Sequence, residues 1–98
     1  MARHQATPAD TLHWNRVAAE HAEAVADGRA DILLASLYLN LGDSCLACGR
    51  VGEAAEVAGR GVAAVQHLPP GGYREFVADG LRRLLARIAE AGSPEAGV

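Results

Sequence analysis

Cys45-Leu46-Ala47-Cys48 is the segment of this 98-residue chain whose spacing most resembles a reactive site. A C-x-x-C pair serves thiol redox chemistry when it opens a helix, where the positive end of the helix dipole lowers the thiolate pKa. Here the surrounding pattern puts both cysteines at the C-terminal end of a helix, where the dipole acts the other way. They are expected to be small packing residues. Zinc would require two further ligands, with His67 the nearest candidate, and neither a second C-x-x-C nor an H-x-x-x-H is present. His13 and His21 stand two helical turns apart, too far to grip one ion as a pair. Trp14 lies off the apolar stripe that starts at Leu12 and reads either as a core anchor or as an exposed contact residue. Arg82, Arg83 and Arg87 form the most basic segment, which reads either as a solvated ionic face, with Asp79 pairing Arg83 and Arg87 pairing Glu90, or as an anion or nucleic-acid patch, and the first is the expectation. No G-x-S-x-G, Walker loop or dinucleotide fingerprint occurs. The chain is expected to be neither an enzyme nor a cofactor carrier.

The composition narrows the elements that must position these residues. Half of the residues are apolar, but 21 of those 49 are alanine, and only Trp14, Tyr38, Tyr73 and Phe76 are aromatic. Alanine with Leu and Val as bulk implies closely packed helices rather than strands. The formal charge is −3, and all nine basic residues are arginine. A net acidic chain lacks the basic surplus that phosphate neutralisation needs, so nucleic acid is not an expected partner. No stretch reaches the ~20 apolar residues of a membrane span, and residues 1–8 lack the apolar core of a signal peptide. No membrane association and a cytoplasmic location are the expectations.

Four helices follow from periodicity and punctuation. Thr7-Pro8-Ala9-Asp10 reads as a capped helix start, with Leu12, Val17, His21 and Val25 at helical spacing up to about Asp27 and Gly28 as the stop. Asp31 would cap a second helix through about Cys48, apolar on more than one side and therefore central. After a turn at Gly49–Gly52, a third helix of small residues runs from about Glu53 to His67. Its glycines each cost ~1 kcal/mol relative to alanine, which makes sense only where another backbone comes close. Pro69-Pro70-Gly71-Gly72 breaks the chain. A fourth helix, about Tyr73 to Ala91, carries Phe76/Val77, Leu81, Leu84/Leu85 and Ile88 on one face. The expected organisation is a tail at 1–7, one helical domain at 8–91 and a second tail at 92–98.

Residues 35–68 resemble a tetratricopeptide repeat, a helix–turn–helix unit of 34 residues. Tyr38, Asn40-Leu41-Gly42, Cys45, Gly49, Glu53-Ala54, Ala58 and Gly61 occupy the pattern's aromatic, small and turn positions, although the proline arrives at residue 69. Gly42 and Ala54 would be small because two helices cross there, with Leu41, Val57 and Val62 filling the seam. A shift of 38 aligns Phe76 with Tyr38 and Gly80 with Gly42, so the fourth helix resembles the start of a following repeat. The first helix more loosely resembles the end of a preceding one.

The resemblance implies an all-α fold of about four helices in antiparallel hairpins, stacked as a right-handed repeat. It also implies an adaptor that binds a protein or peptide segment on its concave face. The positions that line that face in the family fall on Ser36, Leu39, Asp43, Leu46 and Ala47. Leu39 and Asp43 stand where relatives that hold chaperone C-terminal carboxylates use Lys and Asn, so an apolar or basic segment is the expected ligand. Because about three stacked repeats are usually needed for stability, a homodimer or docking on a larger partner is expected. Two alternatives come from other classes: a regulatory module sensing a small peptide signal in the same groove, and a thiol-redox or zinc protein using Cys45 and Cys48.

Overall fold

The computed structural model describes residues 7–25 and 28–92, with side chains at all of these except 28–31. Four helices account for nearly all of them: α1 (Pro8–Ala24), α2 (Gly28–Ala47), α3 (Val51–Val65) and α4 (Gly72–Ala91). The architecture is all-α, and no strand occurs among the described residues.

The ends of the helices follow local chemistry. At α1 the Thr7 hydroxyl accepts the Asp10 amide at 3.1 Å, and the Asp10 carboxylate accepts the Thr7 amide at 3.1 Å. This is a reciprocal capping box, with Pro8 at the first helical position. The helix stops three residues earlier than expected, at Ala24, and Gly28 opens α2 instead of closing α1. Arg29 and Ala30 are strong helix formers, so α2 extends upstream and Asp31 lies inside the helix, not at its cap. The turn after α2 is tighter than Gly49–Gly52. Arg50 donates to the Cys45 carbonyl at 2.8 Å and Gly49 to Leu46 at 3.0 Å, with Gly49 at φ +76°. That paired closure, with glycine in the left-handed position, frees Val51 to begin α3 two residues ahead of Glu53. At its far end α3 stops at Val65, and three-residue turns at His67 and Leu68 lead into the Pro-Pro-Gly-Gly break.

The helices α2 and α3 run antiparallel. A methyl added at Gly42 would lie 3.7 Å from the Ala54 carbonyl oxygen, and one at Gly61 would lie 3.3 Å from Tyr38 Cβ. Glycine and alanine let these two backbones approach, as the sequence implied. Helix α1 packs on one flank of α2, while α4 lies across both α3 and α2. The core therefore centres on α2 and α3, where Tyr38, Leu41, Cys45, Ala54, Val57 and Ala58 meet Leu84 and Ile88 of α4. A second cluster joins Ala35, Val65 and Leu68 to Val77 and Leu81.

Several expected core positions are corrected. On α4 the buried stripe is Val77, Leu81, Leu84 and Ile88, whereas Phe76 is 69% exposed and Leu85 also faces outward. At 100° per residue Phe76 lies roughly 100° from the middle of that stripe, beyond the reach of α3. Val62 is likewise exposed. On α1 the buried positions are Leu12, Ala19 and Ala22, while Val17, His21 and Val25 face solvent. Alanines admit the close approach, and polar side chains complete it. Asn15 Nδ2 donates to Ser44 Oγ at 2.6 Å, Arg16 bonds Glu53 of α3, and Tyr38 donates to Glu23 at 2.5 Å. Trp14 takes the exposed alternative, 65% accessible and edge-on to the His13 ring at 4.9 Å.

Candidate functional site

Both cysteines are free thiols, Cys45 buried and Cys48 half-buried. Burial pushes the Cys45 thiol up, and the nearby Glu53 carboxylate adds to this against the opposing pull of Arg16 and Arg50. The direction matches the sequence expectation, but its main cause is desolvation. Among the described residues no three His, Cys, Asp or Glu side chains gather as metal ligands.

The residues expected to line a groove fall along one face of α2, and α4 lies beside that face in the same direction. Three contacts fix the register. Tyr73 donates its hydroxyl to the Ile32 carbonyl at 3.4 Å. Midway, the Leu39 side chain fills the space over Gly80, where an added methyl would stand 2.7 Å from Leu39 Cδ2. At the far end Arg87 donates to Asp43 at 2.5 Å. The spacings on α2 (32, 39, 43) and on α4 (73, 80, 87) keep each row on one side of its helix. Glycine at position 80 allows the two helices to meet.

Of the five expected residues, Asp43, Leu46 and Ala47 come together with Ser44 and Arg87 around an open depression of about 370 Å³. Leu39 is half-buried as the contact to α4, and Ser36, half-buried, turns its hydroxyl back onto the Leu33 carbonyl at 3.0 Å. The depression lies toward the C-terminal end of the face shared by α2 and α4. Toward the other end of that face Ile32 of α2 and Tyr73 and Phe76 of α4 are substantially exposed.

The ionic pairing on α4 differs from expectation. Asp79 takes Arg82 at i,i+3 instead of Arg83, and Arg87 reaches across to Asp43 instead of down to Glu90. A cross-helix carboxylate within reach of Arg87 was invisible to a reading confined to one helix. The contribution of α4 to the face, residues 73, 76, 80, 83 and 87, was also missed. A period of 3, 4, 3 and 4 was present in the sequence, but the stronger stripe through Val77, Leu81, Leu84 and Ile88 masked it. No family model, curated protein or solved structure matches this chain.

Proposed function

We propose that the chain is a non-enzymatic binding scaffold of tetratricopeptide type that holds a protein or peptide segment on the α2–α4 face. The observation that carries this reading is the shared face of two parallel helices, with Ile32, Tyr73 and Phe76 exposed toward one end and an open depression around Asp43 and Arg87 at the other. Monomeric surfaces seldom expose several large apolar side chains side by side without a partner. A helix pair followed by a third helix parallel to the first is also the order in which tetratricopeptide units stack. Ser36, Leu39, Asp43, Leu46 and Ala47 belong to the α2 wall, and Tyr73, Phe76 and Arg87 supply the α4 wall. A short peptide signal would occupy the same face, which makes the sensing module a variant of this reading. The redox reading is disfavoured because burial raises the Cys45 pKa and so keeps the nucleophilic thiolate scarce.

The test is affinity capture from the native cell with the full chain and two exposed-position variants, Phe76→Ser and Ala47→Arg. Both are expected to lose a specific partner while keeping a helical far-ultraviolet spectrum. Retention of that partner by both variants would refute the reading.

A further inference from the structure

The charges nearest the exposed apolar residues of the α2–α4 face are the ones that bear on a ligand held there. Asp43, which by itself would favour a basic segment, is neutralised by Arg87 at 2.5 Å. Asp79 is occupied by Arg82. Arg83 lies two turns along from Phe76 on the same side of α4, is exposed, and has no ion-pair partner among the described residues. Glu90, on that side and likewise exposed without an ion-pair partner among the described residues, is seven residues further on, about 10 Å along the axis and away from the apolar residues. The face therefore presents exposed apolar residues at Ile32, Tyr73 and Phe76, and the nearest charge to them on that face without an ion-pair partner among the described residues is the Arg83 guanidinium.

Resting on the binding-face reading above, we propose that the bound segment is apolar and acidic: an aliphatic or aromatic anchor on Phe76, and an Asp or Glu side chain on Arg83. The anchor-to-carboxylate spacing follows from the helix rise. Phe76 and Arg83 are separated by about 10 Å along α4, which an extended ligand spans in about three residues and a helical one in seven. Arginine meets a carboxylate with two parallel N–H donors, so the acidic position is also fixed in orientation. This reverses the preference for a basic ligand that Asp43 suggests in isolation.

The experiment is panning of random 12-residue peptides displayed on phage against the full chain, Arg83→Glu and Phe76→Ser, with helicity of each checked by circular dichroism. The full chain is expected to enrich peptides pairing an apolar residue with Asp or Glu at one of those two spacings. A synthetic peptide of the enriched sequence should bind Arg83→Glu at least about threefold more weakly, the scale of an exposed ion pair, and Phe76→Ser about tenfold more weakly. Panning on Arg83→Glu should enrich Lys or Arg instead. Enriched peptides without an acidic preference that bind Arg83→Glu undiminished would overturn the acidic-ligand inference and leave the binding face standing. Binding unaffected by Phe76→Ser, or no enrichment at all, would overturn both. So would a dimer in sedimentation that Phe76→Ser dissociates, because the face would then belong to a second copy.

Discussion

Glycines at 59 and 61 lie two residues apart on α3 and differ sharply in what surrounds them. An added methyl at Gly59 would meet nothing within 4 Å, whereas one at Gly61 would meet Leu81 Cδ2 at 2.8 Å and Tyr38 Cβ at 3.3 Å. Leu81 could turn its tip aside, but Tyr38 Cβ moves only with the α2 backbone. Gly59→Ala is therefore expected to stabilise the protein by about 1 kcal/mol through helix propensity alone. Gly61→Ala should destabilise it by roughly 1–3 kcal/mol through overpacking, less that same propensity gain. Urea unfolding of the two variants beside the parent measures both. Equal midpoints for the two would show that α2 and α3 are not in close contact at this point. The sequence supported part of this reading, since a glycine-bearing helix implies a close neighbour. It could not say which glycine faced the neighbour, because small residues occur on every side of α3.

Helix α1 illustrates why an element can be legible while its docking is not. Its start at Thr7-Pro8 could be read from capping chemistry, but its packing face could not be read from apolar side chains. Leu12, Ala19 and Ala22 face inward, and the affinity of α1 for its neighbours is completed by Asn15, Arg16 and Glu23. Glu23 ties α1 to the buried Tyr38 hydroxyl of α2 at 2.5 Å, with Arg60 of α3 at 3.7 Å from the same carboxylate. Burial, with the bond to Glu23 second, pushes the Tyr38 phenol up to about 12. An unfolded tyrosine titrates near ~10, so above that pH the unfolded chain releases a proton that the folded chain retains. The stabilisation is complete below about pH 10 and is lost as pH rises toward 12, by up to about 3 kcal/mol. Tyr38→Phe keeps the ring but not the titration. Its urea midpoint should fall less than that of the parent between pH 9 and 11.5, and parallel falls would contradict the assignment. The α2–α3 hairpin was legible for a different reason: its glycines, alanines and left-handed Gly49 encode contact and turn directly.

The whole molecule is a slab, 44 × 43 × 23 Å with a radius of gyration of 14.5 Å. A compact chain of this length would have a radius nearer 13 Å, and the thin dimension matches two helix diameters. In a body two helices deep, each helix keeps one side in solvent, which accounts for exposed apolar residues on the outer helices α1 and α4. That consequence could not be read from apolar counts, which assign Phe76 and Leu85 to the core along with Val77 and Leu84. The exposed side shared by α2 and α4 is the one with both exposed apolar residues and an open depression beside the Asp43–Arg87 pair, and the functional reading rests on its being occupied. The most direct measurement places a photo-reactive benzoylphenylalanine at position 76 on that face, or at position 59 on the outer side of α3, and irradiates the intact native cell. The expected result is a discrete covalent adduct from position 76 and none from position 59. An adduct from position 59 alone, or no adduct from position 76, would contradict the assignment of the α2–α4 face as the binding surface.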